Sequence, residues 1–319
     1  MMRLGLIGVG AWGQRYVQTI ASRTDCQIVA YSRASSPLTD FDIPGAVACG
    51  PWQNLLQHGP DDPIDGVIVA TTPDSQAGIA GAALLAGVPC LVEKPLGLSK
   101  QSVEQLLACL KESRHKPPLV VNYIHLFSPA FRALKDLVVQ GSGAAPEITS
   151  IETAGFNRGP YRSYSSLYDY GVHEIALVLD LLGRQSHYSL REARRFLCDP
   201  GDQGELFEVS FDVDHTKVLT RFGNGAATKA RRLAVTCADG RVLVYDDCEP
   251  HPFKLKDTGR ALPVDHTAPL DVVVSYFLEC CEQFGKRGGA TEVAIQNLKF
   301  SLKISEILDS VALCVSNAQ

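Results

Sequence analysis

Six residues near the start of the chain, Gly8-Val9-Gly10-Ala11-Trp12-Gly13, constrain its fold more than any other feature. They close an apolar run, Leu4 to Val9, and open a stretch of helical periodicity, so a strand must turn sharply into a helix there. Three glycines at this spacing permit a tight turn, a close approach of backbone to a pyrophosphate, and close packing of helix on strand. The helix N-terminus then offers its unpaired N–H groups to that anion. The strand-helix succession recurs along the first half. Gln27 to Tyr31, Gly66 to Ala70, Pro89 to Val92 and Leu119 to Asn122 are short runs rich in Val, Ile and Leu, separated by amphipathic stretches. Their apolar residues hardly alternate, as parallel strands covered by helices on both faces require. Ser99 is expected to cap a helix with the buried stripe Val103, Leu106, Leu107 and Leu110. Residues 1–122 therefore read as an α/β, doubly wound Rossmann domain expected to bind NAD(P), the other reading being a glycine-rich strand-helix turn with no ligand.

Past residue 123 the period changes. Phe207, Val209, Phe211 and Val213 alternate with Glu208, Ser210, Asp212 and Asp214, the pattern of an antiparallel strand with one apolar face. Asn224-Gly225 and Asp239-Gly240 read as hairpin turns, because Asn, Asp and Gly tolerate positive φ. Helices are expected over about 127–140, 170–182, 268–284 and 291–314. Residues 123–319 are thus expected to form an α+β domain on a largely antiparallel open sheet, and 319 residues suit about two domains.

Composition removes several classes of function. The net charge of -5 has the wrong sign for a nucleic-acid binder. Ten cysteines form no C-x-x-C pair, and the neighbours Cys280 and Cys281 do not easily bridge, which points to a reducing, cytoplasmic setting. Met1-Met2-Arg3 runs straight into the first strand, so no secretion signal is expected. The one long uncharged stretch, Ser75 to Val92, is interrupted by Gly78, Gly81, Gly87 and Pro89 and reads as helix, turn and strand rather than a membrane span. Neither H-E-x-x-H nor G-x-S-x-G occurs, and the eight histidines are scattered, so neither a metal centre nor a serine hydrolase is expected.

About twenty residues past the glycines, where a carboxylate would hold the 2'-hydroxyl of NAD, the chain reads Tyr31-Ser32-Arg33-Ala34-Ser35. A guanidinium with a neighbouring hydroxyl suits a 2'-phosphate, so NADP is favoured and NAD remains possible. The other reading places Arg33 over the adenine or in solvent. Glu93-Lys94 ends a buried strand at the sheet edge where ligands bind, and an ammonium there can stabilise an alkoxide-like oxygen; alone, the pair could equally be a solvated strand end. Asp169, His173 and Asp180, at i, i+4 and i+11, fall within about 40° of one another on a helix. Val172, Ile175, Leu179 and Leu182 occupy a neighbouring face. A lone histidine in such a place is usually structural, whereas one turn from a carboxylate it can serve as a base.

GLIGVGAWG, DGVIVATTPDS, CLVEKPLGLS and SLYDYGVHEIALVLDLLG together resemble the glucose-fructose oxidoreductase, inositol dehydrogenase and MocA family. The resemblance covers nearly the whole chain, and its four segments agree in order and spacing. It implies hydride transfer between a nicotinamide and a secondary alcohol or ketone of a sugar, polyol or nucleotide-linked sugar. Lys94, His173 and Asp169 stand at the family's catalytic positions. Its cofactor would touch Gly8, Gly10, Ala11, Trp12, Gly13, Ser32, Arg33, Thr71, Thr72, Pro73, Glu93, Lys94 and Asn122. Asn157-Arg158-Gly159-Pro160-Tyr161-Arg162-Ser163 resembles a branch in which G-P-x-R precedes the histidine helix, implying that Arg162 grips substrate; pairing with a nearby carboxylate is the equal alternative. Ala77 stands where many relatives have histidine, and Glu174 where that branch often has aspartate. The family also implies a homodimer or homotetramer formed through the second sheet, unless that sheet's apolar face covers its own helices. The competing function is a non-catalytic dinucleotide-binding regulator or scaffold of the same fold.

Overall fold

The computed structural model describes residues 1–33, 42–57, 63–139, 147–159, 161–198, 204–287 and 291–317. Ala34, Ser35 and Pro160, and the expected helix end at residue 140, lie outside the described residues. The chain forms two compact units, Met1–Asn122 with Leu270–Leu302, and Tyr123–Pro269 with Lys303–Gln319. The break at 122/123 is therefore one of several, since Leu270–Leu302 returns to the first unit.

In the first unit, β1 (Met2–Ile7), α1 (Ala11–Ala21), β2 (Cys26–Ser32), β3 (Val47–Ala48), α2 (Trp52–Leu56), β4 (Gly66–Val69), α3 (Pro73–Ala86), β5 (Cys90–Glu93), α4 (Lys100–Glu112) and β6 (Leu119–Asn122) follow one another. Their strands make one parallel sheet in the order β3-β2-β1-β4-β5-β6. The expected strands are all present, and only the two-residue β3 went unread. Leu4, Leu6, Ile7, Val67, Ile68, Val69, Leu91 and Val92 are fully buried. Each such side chain contributes about 1.5–3 kcal/mol of transfer free energy. The stretch from Ser75 resolves into the end of α3, a turn in which Gly87 takes φ +76°, and β5, as expected. In α4, Val103, Leu106 and Leu110 are buried while Leu107 is only half-buried. Ser99 holds the N-cap position, but its hydroxyl faces Ser102 Oγ at 3.3 Å instead of a backbone N–H. The returning segment covers the sheet: a Cβ on Gly66 would stand 2.7 Å from the Phe277 ring, and Asn297 Oδ1 accepts the Val121 N–H at 3.2 Å. Apolar strands that need cover on both faces explain why the chain comes back.

The second unit contains α5 (Pro129–Val139), β7 (Ile148–Arg158), α6 (Val172–Leu182), β8 (Tyr188–Leu197), β9 (Glu205–Val213), β10 (Thr216–Gly223), β11 (Gly225–Cys237), β12 (Val242–Asp246), β13 (Leu255–Asp257) and β14 (Arg260–Ala261). Helices α7 (Pro269–Arg287) and α8 (Thr291–Asn317) follow, and α8 divides its length between the units. The strands form one sheet, β14-β13-β12-β11-β7-β10-β9-β8, antiparallel except where β7 and β10 run together. In β9, Phe207, Val209, Phe211 and Val213 are buried within the chain's own unit, the alternative to burial against a second copy. A Cβ on Gly171 would stand 2.9 Å from the Phe222 ring and 3.1 Å from Leu308, so the start of α6 and the end of α8 lie on this face.

Asp239-Gly240 is the expected hairpin turn, with Gly240 at φ +86° and Asp239 Oδ1 accepting the Arg241 N–H at 3.0 Å. Asn224-Gly225 is not. Strands β10 and β11 lie on opposite sides of β7, so this dipeptide carries the chain across the end of β7. Asn224 is buried; its carbonyl accepts the Gly159 N–H at 2.9 Å and its Oδ1 the Glu205 N–H at 2.9 Å. The dipeptide signals a reversal, but only strand order decides which strand the chain meets next.

Candidate active site

Strand order reverses direction at β1 and β4, so the loops after these two strands flank the crevice of the parallel sheet. Gly8 takes φ +97°, and a Cβ there would stand 2.5 Å from the Ala70 carbonyl oxygen. A Cβ on Gly13 would stand 2.0 Å from the Gly8 oxygen, so α1 can close on the loop only because residue 13 is glycine. Gly10, by contrast, has nothing among the described residues within 4 Å of the position a Cβ would take. Two glycines thus fold the loop and the third leaves it open. Gly10 also precedes α1, which has no acidic side chain in its first turn to neutralise its N-terminus. Ala11 and Trp12 begin that turn, and Arg15 stacks over the Trp12 ring at 4.6 Å. Across the crevice, Thr72 is the N-cap of α3 and Pro73 its first residue, while Thr71 Oγ1 accepts a hydrogen bond from Ser75 Oγ at 2.9 Å. These residues fit a dinucleotide: the cradle has the shape a pyrophosphate requires and an unopposed helix N-terminus.

Ser32 and Arg33 divide in role. Ser32 is fully buried and its hydroxyl donates to the Gly50 carbonyl at 2.9 Å, which spends its proton within the fold. Arg33 keeps a buried Nε without a hydrogen-bond partner among the described residues. Of the two, the guanidinium is the group free to meet a 2'-phosphate.

Lys94 follows β5 and is half-buried. Glu93 and Asn122, read as lining for a nicotinamide pocket, are instead 4% and 1% exposed. Tyr16 Oη donates to Glu93 Oε1 at 2.8 Å, and Asn122 Nδ2 reaches both Glu93 Oε1 at 2.7 Å and Tyr16 Oη at 2.8 Å. Burial pushes the Glu93 carboxyl up, opposed by these two donors and by the Lys94 charge. The Tyr16 phenol rises well above its ordinary value through burial and the adjacent carboxylate. Tyr16 had no motif to mark it; its one signal is a polar ring at a core position three residues after Gly13.

In the second unit, the segment Leu167–Gly171 forms a wide helical turn that passes into α6. Glu205 fixes its start: Ser165 Oγ and the Ser166 N–H both donate to Oε2 at 2.7 Å, and Arg195 pairs with the other oxygen. From Val172 to Leu181 every residue of α6 is buried, so the helix has no open polar stripe. Asp180 leaves the stripe expected of it and pairs with Lys135 Nζ at 2.7 Å and Arg184 Nε at 2.8 Å. Asp169 lies 3.5 Å from Arg162 Nε, which makes Arg162 a carboxylate partner in this structure. His173, 7% exposed, meets the edge of the His125 ring with centroids 4.8 Å apart, and His125 Nδ1 lies 3.4 Å from Tyr245 Oη. His125 lies outside every motif, and only the fold brings it to His173.

Glu174, next to His173 in α6, is fully buried. Among the described residues neither of its oxygens has a hydrogen-bond partner, and Arg231 Nη1 stands 4.0 Å from Oε1. Gly155 makes the room, since a Cβ there would stand 2.1 Å from Oε1. Burial pushes this carboxyl up to about 7, against the opposing pull of Arg231 and Thr153. Lys94 belongs to the first unit, and Asp169 and His173 to the second. Among the described residues no cluster of three or more His, Cys, Asp or Glu could hold a metal ion, and no helix is long and apolar enough to cross a membrane.

Residues 2–123 match the GFO_IDH_MocA family, described as the oxidoreductase family with NAD-binding Rossmann fold. Inositol 2-dehydrogenase of Corynebacterium glutamicum is 26% identical over 252 residues, covering 72% of this chain and 71% of its own. UDP-N-acetylglucosamine 3-dehydrogenase of Acidithiobacillus ferrooxidans is 26% identical over 187 residues, covering 58% of this chain and 55% of its own. A crystal structure from Magnetospirillum magnetotacticum MS-1 matches 97% of this chain and 99% of its own with a TM-score of 0.80 at 29% identity. The two-domain architecture, a Rossmann fold followed by a mostly antiparallel sheet, is therefore shared across nearly the full length.

Proposed function

We propose, for a chain that belongs to the Gfo/Idh/MocA family of oxidoreductases, that it is an NAD(P)-dependent dehydrogenase or reductase acting on a secondary alcohol or ketone of a sugar, polyol or nucleotide-linked sugar. The observation that carries this reading is the cradle at the sheet's reversal point, where Gly8 and Gly13 permit only glycine and Gly10 opens toward the helix N-terminus. When bound, the nicotinamide supplies or accepts the hydride. Gly8 to Gly13 hold the pyrophosphate, Thr71 to Pro73 border the crevice, and Arg33 pairs with a 2'-phosphate, which makes NADP the preferred form. In the oxidative direction His173 takes the hydroxyl proton, and Lys94 donates to the same oxygen as its charge develops. Asp169 orients His173 or binds a neighbouring hydroxyl. Arg162, half-exposed and paired with Asp169, is placed to exchange that carboxylate for a polar group of the substrate. The polyhydroxyl class follows the activities of the similar dehydrogenases. A homodimer or homotetramer accompanies the reading, and light scattering at low micromolar concentration measures it.

The test is a titration with NADPH, NADP⁺, NADH and NAD⁺, followed by absorbance at the nicotinamide band with inositols, free sugars and nucleotide-linked sugars. Lys94→Ala and His173→Ala are expected to retain dinucleotide binding and to lose turnover by about a hundredfold or more. Unchanged turnover in His173→Ala removes that residue from the mechanism. Binding without turnover of any polyhydroxyl compound leaves a dinucleotide-binding regulator.

A further inference from the structure

The buried Tyr16–Glu93–Asn122 cluster joins three elements of the parallel-sheet unit. Tyr16 lies on the helix that opens at the cradle, Glu93 ends β5, and Asn122 ends β6. All three side chains are at most 4% exposed, and their mutual bonds span 2.7 to 2.8 Å. A phenol, a carboxamide and a carboxylate cost desolvation free energy in an interior that apolar side chains would fill more cheaply, so such a network is retained for where it holds its members. Glu93 is bonded in sequence to Lys94, its carboxylate accepts from the Lys94 backbone N–H, and the Lys94 charge interacts with it.

We propose that Tyr16 is a positioning residue for Lys94: by holding Glu93 it ties the lysine at the end of β5 to the helix that receives the pyrophosphate. The consequence for catalysis rests on the reading of Lys94 as the group that stabilises the reacting oxygen; the coupling itself does not. Without the Tyr16 hydroxyl, Glu93 loses one of its two side-chain donors and its carboxyl holds a proton more readily. The end of β5, which carries Lys94, is then tied to α1 less firmly. Packing is unaffected, because phenylalanine fills the same volume.

The experiment measures Lys94 directly. The NADP⁺-bound protein is labelled with trinitrobenzenesulfonate across a pH series, and Lys94 modification is quantified by peptide mass spectrometry. Tyr16→Phe is expected to loosen the end of β5, so that Lys94 reacts about threefold faster at each pH. Glu93→Gln should raise the labelling rate likewise, and Tyr16→Phe placed in that background should add nothing. Asn122→Ser, which removes the other donor, is expected to act in the same direction and serves if Tyr16→Phe fails to fold. NADPH affinity of Tyr16→Phe, read by energy transfer from tryptophan, should stay within about threefold. An unmoved labelling profile in Tyr16→Phe, or shifts that sum in the double variant, overturns the proposal. If Lys94→Ala keeps full turnover while the coupled labelling shifts remain, the positioning stands and the catalytic reading of Lys94 fails.

Discussion

Glu174→Gln isolates the cost of holding an ionised carboxylate in the buried helix that also carries His173. Glu174 is fully buried, neither oxygen is hydrogen-bonded among the described residues, and its carboxyl is raised from 4.5 to about 7. Between those two values the folded protein binds a proton that the unfolded chain has released, so stability falls as pH rises through the window. Below the window no penalty is present; above it the penalty is complete. Moving a carboxyl from 4.5 to about 7 corresponds to about 3 kcal/mol. Glutamine keeps the shape and cannot ionise. Its own constant offset, including whatever Arg231 loses, is the same at every pH, and the other titrating groups are common to both proteins. Urea unfolding of both proteins, followed by circular dichroism from about pH 4.5 to 8, should show the wild type losing about 3 kcal/mol relative to the variant. A difference that stays constant within about 0.5 kcal/mol refutes the reasoning and means that Glu174 is stabilised as an anion.

The cradle glycines should separate by role. Gly10→Val is expected to weaken NADPH binding more than tenfold at an unchanged Tm, while Gly13→Ala, whose Cβ would stand 2.0 Å from the Gly8 oxygen, should cost about 1–3 kcal/mol of stability in denaturant melts. Arg33→Ala should lower NADPH affinity about tenfold and leave NADH affinity unchanged, as measured by fluorescence titration. Asp180→Asn removes one partner from a pair of ion bonds whose cations are more than a third exposed, so it should cost about 1–2 kcal/mol. Turnover should survive that change but fall in Asp169→Asn, since only Asp169 stands beside Arg162.

Much of the parallel half was legible because its signals are local. A glycine whose Cβ would strike backbone must be glycine in any homologous loop, and strands buried on both faces announce themselves as unbroken apolar runs. The alternation of β9 was legible for the same reason, a period of two set by the pleat. Asp180 shows the limit. Its spacing from His173 was read correctly, but a wide turn precedes α6 and the helix is buried all round, so a stripe drawn on an isolated helix does not say what each residue meets. Asn224-Gly225 failed in the same way, since a two-residue signal cannot know that β7 lies between the strands it joins.

From its sequence alone the chain determined a dinucleotide cradle, a parallel sheet behind it, a change to antiparallel pairing after residue 123, and the candidates Lys94, Asp169 and His173. Tertiary structure alone decided that Leu270–Leu302 completes the first unit, that Glu93 is shared by Tyr16 and Asn122, that Asp169 meets Arg162, and that His125 stands against His173. Glycine sterics and hydrophobic period act over a few neighbouring residues and are written into the order of the chain. Which polar group finds which partner depends on how the packed fold brings side chains together, across 7 residues for Arg162 and Asp169, 48 for His125 and His173, and 106 for Tyr16 and Asn122.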